Sequence, residues 1–401
     1  MSNAPRVLVL TASAGAGHVV AAGALADALR RLRPDASVAV HDVLASATPW
    51  FRHLYGGGYL LLARRAPEAF GWLYEATDRP PRAWTERLRR GFQWSQLRRT
   101  VREITRFAPE LIVSTHFLPA ELVAHLRTRG RLGCPQATVA TDFEAHRLWH
   151  TQPCERWYVA SELAVEQLVR WGAPPEAVRV TGIPVRRAFA QPLPRTDARA
   201  ALGLVQEKPI VLVLCGGFGV GPAAQIVAEL RRHCRHAEHV VICGRNATLQ
   251  RRLTRRFGNA ARIVGYTDRM HVWMRAADVA VGKAGGLTVS ETLVAELPLV
   301  IFQPIPGPES RNSDYLLERG AAIRANHIRL VGWRVARLLA DRQKLLAMRW
   351  AARRLARPAA AEIIARDVLA LLERPTGSGA APQPGEACTA HRGTVATRSA
   401  V

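Results

Sequence analysis

Three glycines, the start of a helix and a glutamate lie close together in one stretch of the chain. It reads Gly282-Lys283-Ala284-Gly285-Gly286-Leu287-Thr288-Val289-Ser290-Glu291 and follows an apolar strand over residues 278–281. Such glycines let backbone N–H groups and the positive end of a helix approach a phosphate. Glu291 lies about one turn into that helix, and Glu309 and Asn312 follow in the next polar loop. Carboxylate and amide groups placed there can bind sugar hydroxyls, so the stretch predicts a nucleotide-sugar site.

A second glycine-rich turn, Gly15-Ala16-Gly17-His18, joins the first apolar strand to the first helical pattern. His18 falls in the first helical turn, where the helix dipole lowers an imidazole pKa and favours the neutral form, which can act as a base. The same turn also resembles a variant dinucleotide-binding turn, with Asp42 placed to meet a ribose. The turn alone leaves both interpretations open. The nucleotide-sugar stretch favours the base, because a dehydrogenase needs no sugar-nucleotide loop in its other domain.

A polar cluster over residues 141–149 follows another strand and contains Asp142 and His146. The carboxyl ends of strands are where open α/β sheets bind their ligands. Asp142 and His146 can therefore orient an acceptor or a base. The structural alternative is a turn fixed by Asp142 beside a packed Trp149.

Further glycines and a base-sized aromatic ring follow three strands of the second half. Residues 215–221 hold four glycines, which favour a backbone nest for a diphosphate over a merely tight turn. Arg245 is placed to meet phosphate, Asn246 to cap a helix, and Gly265-Tyr266 to pack a flat base. The predicted donor-binding residues are Gly17, Gly217, Gly219, Arg245, Gly265, Tyr266, Lys283, Gly285, Gly286, Leu287, Thr288, Glu291, Glu309 and Asn312.

Aromatic rings alternate with arginines over residues 50–99. Rings beside arginines suit the interface of an anionic membrane. They also suit single-stranded nucleic acid, and the structural alternative is an aromatic helical subdomain packed on the sheet. With a sugar-nucleotide site elsewhere in the chain we expect a membrane and no nucleic acid. The predicted acceptor or membrane contacts are Trp50, Tyr55, Tyr59, Arg64, Arg65 and Trp72.

Strands and helices alternate through both halves, which predicts an α/β protein with parallel sheets. We expect two facing Rossmann-like domains with a cleft between them. Residues 1–190 form the predicted acceptor and membrane side, and residues 191–340 the nucleotide-sugar domain. A helical pattern fills residues 332–373 and is broken at Pro358. Residues 341–374 are predicted as C-terminal helices that can cross back to the first domain, and residues 375–401 as a disordered tail rich in Gly, Pro, Ala and Thr.

The overall composition indicates which binding partners and which cellular compartment to expect. The 401 residues carry a formal net charge of +24, and only Lys208, Lys283 and Lys344 are lysines. Such a charge favours polyanions, although an arginine-rich solvated surface explains part of it. Six scattered cysteines without metal-ligand spacing indicate buried thiols in a reducing compartment. No apolar run reaches the roughly 18 residues of a membrane span. We therefore expect a cytoplasmic protein held peripherally at the inner face of the cell membrane.

These motifs, in this order, resemble the monogalactosyldiacylglycerol synthase and processive diacylglycerol glucosyltransferase group of glycosyltransferase family 28. The resemblance covers about residues 6–324, and its specific part is Lys283–Glu291 with Gly307–Asn312. It implies a GT-B fold and an inverting, metal-independent, UDP-sugar-dependent hexosyltransferase without cofactor. A lipid acceptor, diacylglycerol above all, would bind the N-terminal domain.

The resemblance also implies roles for single residues. His18 would be the base that deprotonates the acceptor hydroxyl, with Asp142 supporting or replacing it. Gly217, Gly286 and Thr288 would hold the diphosphate, Glu291 would meet the ribose, and Glu309 the transferred sugar. Pro308 departs from the pattern, because related enzymes often carry Gln there. The alternatives are a UDP-sugar-dependent transferase for a small or lipid-linked acceptor, and a dinucleotide-binding oxidoreductase.

Overall fold

The computed structural model describes residues 4–58, 62, 65–79, 83–217, 219 and 221–373. Two six-stranded sheets, parallel throughout, organise these residues, one in each half of the chain. The strands are short, nearly continuous apolar runs because helices cover both faces of each sheet. The predicted α/β class with two Rossmann-like domains is confirmed.

The first half holds strands β1 to β6 and helices α1 to α7. The first sheet has the order β2-β1-β3-β4-β5-β6. In chain order the elements are β1 (Arg6–Thr11), α1 (Ala16–Leu32), β2 (Ser37–Asp42), α2 (Pro49–Arg52), a π-helical segment (His53–Gly58), α3 (Pro67–Thr77), α4 (Ala83–Gln96), α5 (Arg98–Phe107), β3 (Leu111–Ser114), α6 (Phe117–Thr128), β4 (Gln136–Val139), a 3₁₀ turn (Arg147–Trp149), β5 (Arg156–Val159), α7 (Glu162–Arg170), a 3₁₀ turn (Pro175–Ala177) and β6 (Val178–Val180).

The second half repeats the α/β alternation, and its sheet has the order β12-β11-β10-β7-β8-β9. Its elements are α8 (Arg187–Ala190), α9 (Arg195–Ala200), β7 (Ile210–Leu214), α10 (Ala223–His233), β8 (Glu238–Ile242), α11 (Ala247–Phe257), β9 (Arg262–Val264), α12 (Met270–Ala276), β10 (Val279–Gly282), α13 (Gly286–Val294), β11 (Leu299–Phe302), α14 (Pro308–Glu318), β12 (Ala322–Ala325), α15 (Ile328–Ala340), α16 (Arg342–Leu355) and α17 (Ala360–Leu369).

The strand orders place one crevice in each half. The direction in which successive strands are added to the sheet reverses between β1 and β3 in the first sheet, and between β7 and β10 in the second. Ligands of open α/β sheets bind at the carboxyl ends of such strand pairs. The turn that carries His18 follows β1, whereas the two glycine-rich turns of the second half follow β7 and β10. The predicted motifs therefore lie at both switch points.

The two halves share a core, and the last helix returns from the second half to the first. Phe143 of the first half packs on Tyr315 of the second, with ring centroids 4.7 Å apart. Helix α17 returns to the first half, where Ile364 and Val368 pack in the same core as Leu25 of α1. Nothing in the described part of the chain is both long and apolar enough to span a membrane as a helix.

Several element boundaries differ from the sequence-based expectation. Helix α14 begins at Pro308, so Glu309 and Asn312 lie on a helix and not in a loop. The predicted continuous helix before Pro358 is two helices, because the Asp341 side chain accepts from the backbone N–H of Lys344 and starts a new one. Strand β12 was not expected, since Ala322–Ala325 is short and carries a central arginine.

Candidate active site

His18 is held in one tautomer by the carboxyl ends of two neighbouring strands. Its Nδ1 lies 3.2 Å from the carbonyl oxygen of Thr115 and 2.7 Å from Oγ1 of Thr141. Because a carbonyl oxygen can only accept, Nδ1 carries the proton and Nε2 keeps its lone pair. Burial lowers the pKa of His18 to about 4, and the bond to Thr115 only partly opposes this shift. The ring is therefore neutral near pH 7, with a basic nitrogen available.

A second buried imidazole, His116, packs edge-on against His18, with ring centroids 4.6 Å apart. Its Nδ1 accepts from the backbone N–H of Leu118 and so caps helix α6. Burial, followed by the charge of a protonated His18, holds the pKa of His116 well below its usual value. His116 lies two residues after the end of β3, and that position near a strand end is the only sequence signal that could have indicated it.

Asp142 and Asn312 connect the two halves at the cleft. The Asn312 Nδ2 donates to Oδ1 of Asp142 over 3.0 Å and to the carbonyl oxygen of Ala284 over 3.1 Å. The Asn312 Oδ1 accepts from the backbone N–H of Phe143 over 2.8 Å. Burial raises the pKa of Asp142, while the bond from Asn312 and the charge of Arg311 oppose that rise. The contact of Asn312 with the donor remains a prediction.

Glu309 lies in the first turn of α14, beside Lys283 and Asp142. Its Oε2 accepts from the backbone N–H of Ile305 over 2.7 Å, which closes the turn before the helix. Burial raises the pKa of Glu309, and the nearby Asp142 adds to the rise, whereas Lys283 lowers it. Its Oε1 lies 3.8 Å from the point where a side chain on Gly285 would begin. Asp142 of the first half thus lies near the predicted donor residues Lys283, Gly285 and Glu309 of the second half.

The glycine-rich turns of the second half face the His18 turn across the cleft. A Cβ on Gly217 would lie 2.5 Å from the Cβ of Ala16, and one on Gly286 would collide with the carbonyl oxygen of Thr141. Glycine is needed at both positions because the two halves approach each other this closely. A Cβ on Gly17 would touch Leu287 at 3.3 Å.

Helix α13 offers its N-terminus to this cleft. Its first backbone bond runs from the N–H of Val289 to the carbonyl oxygen of Gly285. Within the described residues the N–H groups of Gly286, Leu287 and Thr288 have no hydrogen-bond acceptor. Free N–H groups at a helix N-terminus, with Lys283 beside them, favour a bound phosphate.

Glu291 lies deeper on α13 and is buried. Burial raises its pKa to about 7, and the charge of Arg186 in the first half partly opposes this. The contact of Glu291 with a ribose remains a prediction.

Arg245 and Tyr266 form the exposed edge of the donor side. The Arg245 guanidinium lies 5.1 Å from the centroid of the Tyr266 ring, which is 61% exposed. Asn246 caps α11 as predicted and also donates to the carbonyl oxygen of Gly219 over 3.1 Å. This hydrogen bond connects the glycine-rich turn after β7 to the turn after β8. Gly265 packs on the Gln250 side chain.

The contacts of His146 and Trp149 are structural. The His146 Nε2 lies 3.0 Å from the carbonyl oxygen of Tyr74, and its Nδ1 accepts from the N–H of Leu148. Trp149 is 2% exposed and belongs to the core beside β5. His146 is thus a link to helix α3, away from the base position.

The aromatic segment is partly packed and partly exposed. Tyr55 packs near Phe51, with ring centroids 5.4 Å apart, whereas Trp50 and Trp72 are 49% and 73% exposed. Arg65 is also exposed. Tyr59 and Arg64 lie outside the described residues. Among the described residues no three His, Cys, Asp or Glu side chains cluster as metal ligands.

Two family models match the chain, one in each half. Residues 18–185 match the monogalactosyldiacylglycerol (MGDG) synthase model, and residues 210–355 match the glycosyltransferase family 28 C-terminal domain. The first half is therefore similar to MGDG synthases, and the second half to the C-terminal domain of family 28 glycosyltransferases. These matches show a UDP-sugar-dependent glycosyltransferase and not an oxidoreductase.

Curated relatives agree with this family. The chain is 29% identical to a processive diacylglycerol beta-glucosyltransferase of Staphylococcus saprophyticus, over 80% of this chain and 81% of the relative. It is 28% identical to the enzyme of that name from Bacillus licheniformis, over 92% of this chain and 96% of the relative.

Solved structures share the fold at low sequence identity. A Staphylococcus aureus MnaA–UDP structure aligns with a TM-score of 0.62 at 13% identity, over 92% of this chain and 97% of that one. Acinetobacter baumannii MurG aligns with a TM-score of 0.57 at 18% identity, over 91% and 99% of the two chains. The predicted GT-B fold is confirmed.

Proposed function

We propose that the protein is an inverting, metal-independent glycosyltransferase that moves a hexose from a UDP-sugar to diacylglycerol in a membrane. Two features support this proposal: the name shared by its curated relatives, and a neutral imidazole beside an open helix N-terminus.

The donor lies on the second half. The N–H groups of Gly286, Leu287 and Thr288, with Lys283, neutralise the diphosphate, and the Gly217–Gly219 nest lies across from them. The uracil packs near Gly265 and Tyr266 with Arg245 at its edge, Glu291 binds the ribose, and Glu309 binds the hexose.

His18 is the general base. The acceptor hydroxyl oxygen bonds to the anomeric carbon as the bond from that carbon to the diphosphate breaks. The hydroxyl proton passes to Nε2 of His18, and the bonding electron pair leaves with UDP. This single displacement inverts the anomeric configuration. Because α13 packs on Gly17 and Thr141, a diphosphate at its N-terminus adds negative charge near the ring and raises the pKa of His18. Asp142, held by Asn312, supports the imidazolium.

The acceptor reaches the site from the membrane side of residues 1–190. Trp50 and Trp72 enter the interface of an anionic bilayer, and Arg65 pairs with lipid phosphates. Residues 191–340 then form the donor domain, and of the helices in residues 341–374 it is α17 that crosses back onto the first domain. The enzyme works at the cytoplasmic face of the cell membrane without crossing it.

The observation that carries this proposal is the free Nε2 of His18 opposite the N-terminus of α13. Its test is incubation with UDP-glucose or UDP-galactose and vesicles of phosphatidylglycerol containing diacylglycerol. Mass spectrometry of the lipid fraction should show hexosyl-diacylglycerol, and NMR should show an anomeric configuration opposite to that of the donor. Transfer only to water-soluble or lipid-linked acceptors, or a product of retained configuration, contradicts the proposal.

A further inference from the structure

Arg311 is the point at which helix α3 of the first half meets helix α14 of the second. Its Nη2 donates to Oε1 of Glu75 over 2.9 Å and to Oδ2 of Asp78 over 2.9 Å. Its guanidinium also lies 5.0 Å from the centroid of the Tyr74 ring. The Arg311 and Asp78 side chains are only 18% and 16% exposed, so this contact is largely shielded from water.

The backbone before α14 lies directly on the same helix. A Cβ on Gly307 would come within 2.6 Å of the Tyr74 ring, and Gly307 has a φ of +87°, which disfavours any other residue. A Cβ on Gly71 would lie 3.0 Å from the Cβ of Pro306. This segment includes Ile305, whose N–H holds Glu309. Helix α3 therefore buttresses the turn that orients the sugar-binding carboxylate.

The same C-terminal end of α3 is also bonded to the acceptor side. The Oδ1 of Asp78 accepts from the N–H of Arg147 over 2.7 Å, and His146 bonds the Tyr74 carbonyl oxygen. Both belong to the loop that begins with Asp142. On its outer surface α3 exposes Trp72 and Leu73, at 73% and 44%. One helix thus contacts the donor turn, the acceptor loop and solvent.

We propose that Arg311 is a positioning residue that couples the two substrates, because it fastens the acceptor-side helix α3 to the donor-side turn that holds Glu309. The proposal rests on the proposed function for its lipid acceptor. Removal of Arg311, a residue of the donor domain, then impairs use of the lipid. Neutralisation of Asp78, a residue of the acceptor domain, impairs use of the UDP-sugar. Coupling through packed contacts of this kind is worth about 2- to 30-fold in apparent affinity.

The test is a double-mutant cycle with Arg311→Gln, Asp78→Asn and both together. For each variant the KM for UDP-sugar, the KM for diacylglycerol and kcat are measured with vesicles, and the Kd for UDP-sugar by calorimetry without them. We expect each single change to raise both KM values within the 2- to 30-fold range and the double change to add little. Arg311→Lys should recover part of the loss, because an ammonium can still reach one carboxylate.

Arg319→Gln is the matched control. Arg319 lies on the same helix but packs on Tyr315 of its own half, 3.8 Å from the ring centroid. Both KM values should stay unchanged in this variant.

Two results overturn the coupling. In one, Arg311→Gln alters only the KM for UDP-sugar while Asp78→Asn alters only the KM for the lipid. In the other, the effects of the two changes simply add. A wild-type chain that binds UDP but glycosylates no lipid contradicts the proposed function instead. The Kd for UDP-sugar of Asp78→Asn then decides the coupling alone: a weakened Kd supports it, and an unchanged Kd overturns it. Should Arg311→Gln fail to fold, Arg311→Lys and Asp78→Asn complete the same comparison.

Discussion

The side-chain amide of Asn312 donates to the carboxylate of Asp142 over 3.0 Å, across the boundary between the two halves of the chain. The same amide also bonds the backbone at Phe143 and Ala284. Asn312 is completely buried, so water cannot replace it at any of these groups. One side chain therefore fixes the loop that carries Asp142 relative to the end of β10.

Asn312→Ala should lower both stability and activity. It leaves a buried carboxylate and a buried backbone N–H without their partner, which costs about 1–3 kcal/mol of unfolding free energy for each such group. Urea unfolding and the kcat of transfer check this. The control is Asn326→Ala, at an exposed asparagine that precedes α15, where both values should match the unaltered chain. Equal stability of the two variants would contradict the bridging role.

Glu291→Gln should change how stability depends on pH. The pKa of Glu291 is raised from 4.5 to about 7 by burial. A raised pKa stabilises the fold fully below the unfolded value of 4.5, and that stabilisation is lost as pH rises through 7. The unaltered chain should therefore lose about 3 kcal/mol between pH 4.5 and pH 8, and Gln should abolish that loss. Denaturant unfolding at both pH values measures the difference, and parallel pH profiles would show that Glu291 ionises normally.

Trp72→Ala should weaken binding to vesicles of phosphatidylglycerol. Removing roughly 60 Å² of inserted apolar surface reduces the affinity about tenfold. Trp350→Ala is the control, because Trp350 is also exposed, at 61%, but lies on α16 of the second half. Sedimentation with vesicles compares the two, and an equal loss in both variants would contradict the assignment of the membrane side to residues 1–190.

Gly286→Ala should separate the two halves at the active site. The added methyl group collides with the carbonyl oxygen of Thr141, so the N-terminus of α13 must move away from His18. A displacement of about 1 Å costs about 100-fold in kcat/KM. Gly23→Ala is the control, since a Cβ there meets nothing within 4 Å. It should leave turnover unchanged and add about 0.5–1 kcal/mol of stability, because Ala suits a helix better than Gly.

The positions of the glycine-rich turns are predicted correctly from the sequence. The side chains that meet across the cleft are not. Apolar runs that end in glycine identify strand ends, so the turns near Gly217 and Gly286 are found without a structure. His116 is missed because a single histidine after a strand has many structural explanations. The bond from Asn312 to Asp142 and the contacts of Arg311 join residues far apart in sequence, and no local pattern predicts which side chains meet across a cleft.

Helix boundaries, too, are partly predicted from the sequence and partly missed. The capping of α11 by Asn246 is predicted, since an asparagine precedes a clear helical period. The break at Asp341 is missed because apolar residues continue at helical spacing on both sides of it. The helical position of Glu309 is also missed, because Pro306-Gly307-Pro308 indicates a loop, whereas proline is well tolerated in a first helical turn.

The most direct test of the account is the turnover of His18→Ala with UDP-sugar and diacylglycerol vesicles, measured together with its Kd for UDP. If Nε2 of His18 takes the acceptor proton, kcat should fall about 10²- to 10⁴-fold while UDP binds as tightly as to the unaltered chain. A kcat that stays within a factor of two, with normal binding of UDP, would contradict the assignment of His18 as the base.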